Sequence, residues 1–227
     1  MRLKSIIFKL YGEKYEVKKK IKYGQNSQCF VVKKENNLFF LKLMYKDNDI
    51  DYYNERIPKL ILKGEYCYKR EPYCFRLNEF IDGSSFARLK KLTMELLKEI
   101  ISLFYSIHKE GICVIDMHKH NFIKSKNGKV YYVDSGGIKE IKKIYGTFCK
   151  PYYFALIEPQ EYFYQEGADN PKYNEKVEIF YLGLFLKETF KFLEKECIEV
   201  LDKMTKVFIN ERYNSFEDIY KLLFEIS

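Results

Sequence analysis

Apolar and polar side chains alternate along much of the first third of the chain. IIFKLYGEKYEVKKKI alternates on both sides of Gly12, and CFVVKK and NLFFLKLMY alternate on both sides of a turn at 35–37. A period of two is typical of strands with one buried face, and Gly12 marks a hairpin turn. Another pair of strands is expected over 65–80, before Asp82 and Gly83.

One segment in this part of the chain has a different period. From Asp51 to Lys63 the apolar positions recur at helical spacing, although Pro58 disturbs the middle. We therefore predict a helix between the strands.

Beyond Gly83 the pattern becomes helical. Long amphipathic runs alternate with loops, and Gly111 follows the first run as a C-cap signal. Asn127-Gly128, between two short apolar runs, is a strong signal for a two-residue hairpin turn. The predicted helices are Thr93–His108, Val177–Leu193, Glu196–Phe208 and Ser215–Phe224.

A strand-rich N-terminal part followed by a helix-rich C-terminal part predicts an α+β protein. We expect one domain over residues 1–227, with a small β-rich lobe over about 1–81 and a larger α-helical lobe over about 82–227. At this length the chain can bury a substantial core.

Composition bears on where the protein is located and which classes of partner it has, but it does not identify a ligand. The formal net charge is +8, and the six cysteines are scattered without CxxC spacing. We find no pattern of basic residues interleaved with stacking aromatics, so nucleic acid is not an expected partner. With no signal-peptide pattern and no apolar run long enough to span a bilayer, we expect a cytoplasmic protein. Peripheral contact of its basic surface with the inner membrane face stays an open alternative.

The most specific chemistry lies in VIDMHKHNF and YYVDSGG. Asp116 is followed by Asn121 and then, beyond a hairpin, by Asp134. A carboxylate that orients a hydroxyl, with an amide and a second carboxylate that hold Mg²⁺, is what phosphoryl transfer from ATP requires. Each residue singly could be an ordinary turn former. Their order around a hairpin favours the catalytic interpretation.

His118 and His120 lie within the same loop. A His-x-His pair near carboxylates could indicate a zinc or iron site, but no third imidazole or Cys lies at ligand spacing. We therefore disfavour a metal hydrolase. His118 is the better placed of the two to meet a phosphate or an acceptor.

Nucleotide-binding candidates lie upstream of this loop. The turn that contains Gly24 and Ser27 could cover phosphates with its backbone N–H groups, or could be an ordinary hairpin turn. Lys42 is one charge within an apolar strand, so we expect it to pair with Glu55 on the predicted helix and to contact the α- and β-phosphates. The alternative is a strand lysine that points to solvent.

The segment before Asp82 could also bind the nucleotide. Backbone groups of an extended hinge at Glu79 and Ile81 could hydrogen-bond the adenine edge. The same residues could equally be a strand followed by a turn, and the sequence does not separate these alternatives.

Together these segments resemble the protein-kinase-like superfamily over essentially the full chain. Asp134-Ser135-Gly136 stands where Asp-Phe-Gly is usual, and Glu178 to Gly183 resembles the start of the central helix of the larger lobe. The resemblance implies ATP and Mg²⁺ as cofactors, Asp116 and Lys42 as catalytic residues, and a bilobal fold. Ile115 replaces the usual Arg, and most glycines of the phosphate loop are missing.

Two acceptor classes compete within that resemblance. Asp116-x-His118-x-x-Asn121 is similar to bacterial lipopolysaccharide core heptose kinases, which implies a sugar hydroxyl of a lipid-linked core as acceptor. Protein Ser/Thr kinases normally carry Lys where His118 stands. The segment 146–159 and Arg212, expected to pair with Glu158, instead resemble a protein kinase, which implies a protein hydroxyl. A nucleotide-binding pseudokinase is the third alternative.

Overall fold

The computed structural model describes residues 7–21, 27–47, 51–145, 159 and 173–225. The chain divides into two compact units, 1–81 and 82–227. The first is built on a β-sheet and the second carries the helices, so the protein is mixed α/β.

Six antiparallel strands form the sheet of the first unit. The order across the sheet is β1-β2-β3-β4-β6-β5, so only the last two strands depart from chain order. The strands are β1 (Ile7–Leu10), β2 (Glu13–Ile21), β3 (Ser27–Lys34), β4 (Asn37–Met44), β5 (Leu60–Tyr68) and β6 (Glu71–Glu79).

Two-residue turns connect three of the strand pairs. Gly12 has a φ of 84° and Glu35 a φ of 53°, the left-handed conformations that tight hairpins require. Lys69 and Arg70 adopt the same region with φ of 54° and 70°, although neither is the Gly or Asn that such turns prefer. The predicted hairpins around Gly12 and residues 35–37 are thus confirmed.

The sheet curves until its edge strands meet. Phe8 on β1 packs against Phe30 on β3 and against Tyr66 and Tyr68 on β5, with ring centroids 5.0–5.5 Å apart. The side chains on this concave face are buried and apolar, which alternation along the strands requires. The hydrophobic core of the first unit therefore lies inside the curved sheet.

The prediction of a helix at 51–63 is wrong. Strand β5 already begins at Leu60, and the residues before it form a turn. The Asn54 side chain accepts a hydrogen bond from the Arg56 N–H at 2.7 Å, and its carbonyl accepts one from Ile57 at 3.0 Å. An Asn that bonds the backbone two residues later favours a turn over a helix, and Pro58 then prevents helical continuation.

The second unit contains the main helices and several short strands. Its helices are α1 (Met94–Lys109), α2 (Ile141–Ile144), α3 (Glu175–Thr189), α4 (Lys195–Met204) and α5 (Phe216–Glu225). Its strands are β7 (Gly83–Ser85), β8 (Lys91–Leu92), β9 (Ile112–Val114), β10 (Phe122–Ser125), β11 (Val130–Tyr132), β12 (Ile138–Glu140) and β13 (Phe192–Leu193).

Local capping explains where the two longest helices begin. The Thr93 hydroxyl accepts from the Leu96 N–H at 3.2 Å at the start of α1, and the Asn174 side chain accepts from Val177 at 3.0 Å at the start of α3. Gly111 follows α1 with a φ of 75°. The four long helices predicted from the sequence are confirmed, with their ends shifted by a few residues.

Helix α3 is the centre of the second unit. Every residue from Val177 to Gly183 is buried, so this helix has no polar face of the kind that surface helices show. A Cβ at Gly183 would lie 2.9 Å from Met204 Cβ, so α4 crosses closely there. In the described part of the chain no helix combines the length and the apolar character required to cross a bilayer.

Candidate functional site

The loop between β9 and β10 brings Asp116 and Asn121 together. The Asn121 Nδ2 donates to Asp116 Oδ2 at 3.1 Å and to the Asp116 carbonyl at 3.3 Å. A tight turn, in which the Asn121 N–H donates to the His118 carbonyl at 2.8 Å, sets the spacing between them. The Tyr132 hydroxyl also donates to the Asp116 carbonyl, at 2.9 Å, so the loop is fixed at both ends.

Asp134 reaches the same end of the hairpin through strand pairing. Phe122 pairs with Tyr132 in the β10–β11 ladder, and the Val133 N–H donates to the Asn121 carbonyl at 2.8 Å. Asp134 is the next residue, and its Oδ1 accepts from the Gly136 N–H at 3.3 Å. The structure therefore places the three predicted oxygen-bearing side chains on two adjacent loops.

Gly137 joins these two loops. Its carbonyl accepts a hydrogen bond from the Ile115 N–H at 2.8 Å, and an added Cβ would lie 1.9 Å from the Tyr132 hydroxyl and 2.8 Å from Asp116 Cβ. Contacts this close allow no side chain at this position without a shift of its neighbours. The turn approaches Asp116 so closely that the second glycine of Asp134-Ser-Gly-Gly has no room for a side chain.

A buried carboxylate on α3 anchors the start of the loop that carries Asp116. Glu178 is fully buried, and its Oε1 accepts from the Val114 N–H at 2.9 Å. Its Oε2 lies 2.9 Å from His108 Nε2 and accepts from the Tyr145 hydroxyl at 3.3 Å. The Tyr173 hydroxyl donates to the Val114 carbonyl at 3.4 Å, so both the N–H and the carbonyl of Val114 are hydrogen-bonded.

The ionisation of this anchor follows from its burial and charge. Burial acts to lower the pKa of His108, but the nearby carboxylates of Glu178 and Glu175 raise that pKa above its ordinary value. Burial, followed by the charge of Glu178, raises the pKa of Tyr145 far above its usual range. His108 therefore favours its charged form, and the Tyr145 phenol stays a donor.

The two other histidines lie in the loop between β9 and β10. The rings of His118 and His120 are 5.1 Å apart, and the His120 N–H lies 3.4 Å from His118 Nδ1. Partial burial, with the charges of His118, Lys119 and Arg88, lowers the pKa of His120. His118 is exposed, so it can meet a ligand from solvent.

The donor set fits Mg²⁺ better than a transition metal. Because Asn121 Nδ2 is directed to Asp116, its Oδ1 accepts neither of these bonds, and the Asn121 backbone lies next to Val133, the residue before Asp134. Mg²⁺ in phosphoryl-transfer sites is held by one or two carboxylates, phosphate oxygens and water. Within the described residues, no group of three or more His, Cys, Asp or Glu side chains is arranged to hold a metal ion.

In the first unit, Lys42 and Ser27 lie on neighbouring strands. Lys42 is on β4, is partly buried and pairs in register with Cys29 on β3 and Arg76 on β6. Ser27 begins β3 opposite Met44. Gly24 lies outside the described residues.

Glu55 does not occupy the predicted position. It lies on the turn before β5 rather than on a helix, its carboxylate is 3.6 Å from Arg56 Nε, and its side chain is 68% exposed. Without the predicted helix, no rigid element brings this carboxylate toward Lys42. The expected Lys42–Glu55 pair is therefore not formed in the described residues.

A different charge network occupies this face of the sheet. Arg76 is buried, and its Nη1 donates to both carboxylate oxygens of Asp47 at 3.1 and 3.2 Å, while its Nη2 donates to Asp51 at 2.9 Å. Lys63 contacts Asp51 as well. This network is absent from the sequence-based predictions, although a lone charge in the apolar stretch YCFRL is a signal for a paired, buried residue.

The two hinge candidates differ in their surroundings. The Glu79 N–H donates to the Lys59 carbonyl at 2.9 Å, so this amide is satisfied within the first unit. Ile81 is buried and is the last residue of that unit.

Arg212 in the second unit is buried among helices. Its guanidinium donates to the carbonyls of Lys206, Val207 and Lys176 at 2.7–3.0 Å and lies over the Phe180 ring. The predicted partner Glu158 and the segment 146–158 lie outside the described residues.

No protein-family model matches the chain, and no curated protein matches it significantly. The assignment of function therefore rests on the geometry of Asp116, Asn121 and Asp134 and on the sequence resemblance.

Proposed function

We propose that the chain is an ATP- and Mg²⁺-dependent phosphotransferase with a protein-kinase-like fold, which transfers the γ-phosphoryl group to an acceptor hydroxyl. The observation that supports it most strongly is the hydrogen bond from Asn121 to Asp116, at the end of the hairpin that leads into Asp134. A carboxylate, an amide and a second carboxylate on adjacent rigid loops are the side chains that phosphoryl transfer uses.

Each side chain has a separate role in this proposal. Asp116 orients the acceptor hydroxyl and accepts its proton, while Asn121 Oδ1 and the Asp134 carboxylate would hold Mg²⁺. Bound ATP supplies the phosphoryl group, and its Mg²⁺ neutralises charge. The part of Lys42 in binding phosphates rests on the sequence resemblance alone.

The anchor below the loop supports a catalytic interpretation over a structural one. Glu178 satisfies the Val114 N–H from a fully buried position, and Gly137 allows the Asp134 turn to approach Asp116 closely. Charged groups are rarely buried unless they are paired, and catalytic side chains require rigid support. An ordinary surface loop has no need of a buried carboxylate beneath it.

For the acceptor we propose a sugar hydroxyl of a lipid-linked core, of the heptose-kinase type. The observation in favour is the exposed His118, two residues after Asp116, where Ser/Thr protein kinases normally carry Lys. The second candidate acceptor is a protein hydroxyl. The buried Arg212 favours that alternative, because it resembles the Arg that protein kinases carry among their last helices; its guanidinium donates to the carbonyls of Lys176 and Val207.

The decisive experiment follows phosphate from ATP labelled at its γ-position. The protein, with Mg²⁺, is offered core oligosaccharide, a mixture of protein substrates, or no acceptor. Transfer to the saccharide supports the sugar kinase, and transfer to proteins or to the chain itself supports the protein kinase. We expect Asp116→Asn to lower the rate by roughly 10²–10⁴-fold, whereas Asp202→Asn on an exposed helix surface leaves it unchanged.

A nucleotide-binding module without turnover gives a different result. Mg·ATP would then raise the melting temperature while none of the acceptors becomes labelled and no ATP is consumed. That outcome would refute the enzymatic proposal and retain the nucleotide site.

A further inference from the structure

The net positive charge of the protein comes entirely from one of its two units. Residues 1–81 contain 18 Lys and Arg against 10 Asp and Glu, whereas residues 82–227 contain 22 of each. The whole net charge of +8 therefore belongs to the first unit. An even distribution, which a generally Lys-rich composition would produce, is not observed.

Within this unit, lysines collect on the outer face of the first three strands. Phe8 and Tyr15 face the core and pair in register, so Lys9 and its partner Lys14 face the opposite side. A β-bulge between Val17 and Lys19 then shifts the register of β2, so that Lys19 faces the same side as Lys14. The basic face, as we define it, consists of Lys9, Lys14, Lys19 and Lys33.

The register confirms that the other two lysines share this face. Lys19 pairs with Val31, which alternates with the core residue Val32, and Lys33 lies two residues beyond Val31. Lys9, Lys14 and Lys19 are exposed, and Lys33 is partly buried.

These four lysines lack the carboxylate partners that their neighbours have. Lys18 is 2.7 Å from Glu16, and Lys34 is 2.9 Å from Glu13. In the described strands, none of the basic-face lysines forms an ion pair, and the single carboxylate on this face, Glu16, is already bonded to Lys18. Like charges directly opposite each other, as at Lys9 and Lys14, destabilise a sheet.

An exposed apolar side chain lies at the edge of the basic face. Ile7 is 49% exposed and is two residues from Lys9 on the same side of β1. Lysines around an apolar side chain are the composition that favours an interface between water and lipid.

We propose that the basic face docks onto a membrane surface that carries anionic lipid headgroups. Arg and aromatic residues are enriched in protein interfaces, whereas Lys is depleted there. Binding of single-stranded nucleic acid uses stacked aromatic rings, and the basic face contains none. Lysines on the outer strand surface, without paired carboxylates, instead match the diffuse negative potential of anionic lipids, from which each lysine gains about fivefold in partition.

The test measures partition of the whole chain onto vesicles by sedimentation. One set is pure phosphatidylcholine, and the other contains about one third phosphatidylglycerol. We expect binding to the anionic set alone, weakening as added salt screens the charges. The variant Lys9→Gln, Lys14→Gln, Lys19→Gln should bind about a hundredfold more weakly, at roughly fivefold per lysine.

A matched control distinguishes the loss of the basic face from an equal loss of net charge elsewhere. Lys129→Gln, Lys195→Gln, Lys206→Gln removes the same charge from exposed positions of the second unit and should leave vesicle binding intact. Because all six positions are at the surface, both variants should fold, which a melting curve checks.

Three outcomes would overturn the proposal. The first is no binding to anionic vesicles, and the second is an equal loss in both variants. The third is tighter binding to polyglutamate or RNA than to vesicles at the same salt, which would assign the face to another class of partner. None of these measurements requires ATP or an acceptor, so they are independent of the phosphotransfer assay.

Discussion

The Glu178 carboxylate accepts a hydrogen bond from the backbone N–H of Val114, two residues before Asp116, at 2.9 Å. This bond joins the central helix α3 to the start of the loop that carries the candidate catalytic carboxylate. Since Glu178 is fully buried, its position is set by the core rather than by solvent. The start of the loop is therefore held against the buried core of the second unit.

Loss of this carboxylate should affect both stability and turnover. Glu178→Ala leaves the Val114 N–H without its acceptor and removes the closer of the two carboxylates beside His108, with Glu175 still 3.6 Å from Nδ1, so we expect a loss of about 3–5 kcal/mol in the free energy of unfolding. Urea denaturation measures the loss. Glu188→Gln, on an exposed position of the same helix, should change stability by less than about 0.5 kcal/mol. Equal effects of the two substitutions would contradict an anchoring role.

Stability should depend on pH through His108. Because Glu178 and Glu175 outweigh burial and raise the pKa of His108 in the folded state, protonation stabilises the fold. This contribution is fully present below the ordinary histidine pKa of about 6.5 and is lost as pH rises through the higher folded pKa. Urea denaturation across that range should show falling stability. The difference between wild type and His108→Gln should shrink as pH rises, and a constant difference would argue against the charged pair.

Asn121→Ala should raise the Mg²⁺ concentration required for half-maximal activity. The substitution removes the proposed oxygen ligand and the hydrogen bond that orients Asp116. Loss of a supporting residue at a metal site typically weakens metal affinity by about 10–100-fold. Steady-state rates at varied Mg²⁺ measure this shift, with Asn214→Ala, an exposed amide, as the control. An unchanged Mg²⁺ dependence would remove Asn121 from the proposed metal site.

Gly137 and Tyr132 should be coupled in a double-mutant cycle. Gly137→Ala places a methyl group against the Tyr132 hydroxyl and Asp116 Cβ, so we expect a loss of about 1–3 kcal/mol. Tyr132→Phe removes the hydroxyl and its bond to the Asp116 carbonyl, which alone should cost about 1 kcal/mol. In the double variant part of the overlap is relieved, so the two losses should not add. Additive losses by chemical denaturation would show that the methyl group is accommodated elsewhere.

Arg76 should be among the most sensitive positions of the first unit. Arg76→Lys keeps the charge but cannot bond Asp47 and Asp51 with a planar fork, and we expect a loss of about 2–4 kcal/mol. Thermal or urea unfolding measures it, with Arg70→Lys on an exposed turn as the control. Asp51→Asn should cost less, because Asp51 is 48% exposed and solvent screens its charge. The reverse order of sensitivity would contradict the assignment of Arg76 as the buried centre of the network.

Much of the secondary structure could be predicted from the sequence. The hairpin at Gly12 and the start of α1 depend on local patterns, since turn conformation and helix capping are decided within a few residues. Asn127-Gly128 does lie in a hairpin turn, but three residues rather than the predicted two separate Ser125 from Lys129, whose carbonyl accepts the Ser125 N–H. The helix expected at 51–63 failed for a related reason. Helical spacing of its apolar residues was outweighed by the Asn54 side chain, which bonds the backbone, and by Pro58.

The candidate site was predicted unevenly. Asp116, Asn121 and Asp134 belong to one short stretch of chain with a hairpin between them, and strand pairing places the two loops that carry them side by side. The Lys42–Glu55 pair was expected between a strand and a predicted helix, and it failed with that helix. Arg76 with Asp47 and Asp51 could not be predicted, because which charges meet on a sheet face depends on strand order, which alternation does not specify.

The sequence by itself determined which residues could do chemistry and most of the strands and helices, because those properties are largely local; the segment 51–59 is the exception. Tertiary structure alone decided that Glu178 supports the loop that carries Asp116, that Gly137 lies against Asp116, and that four lysines share one outer face. These relationships join residues distant in the chain. Packing and strand register set them, and a one-residue change of register would send every lysine of β2 to the opposite side.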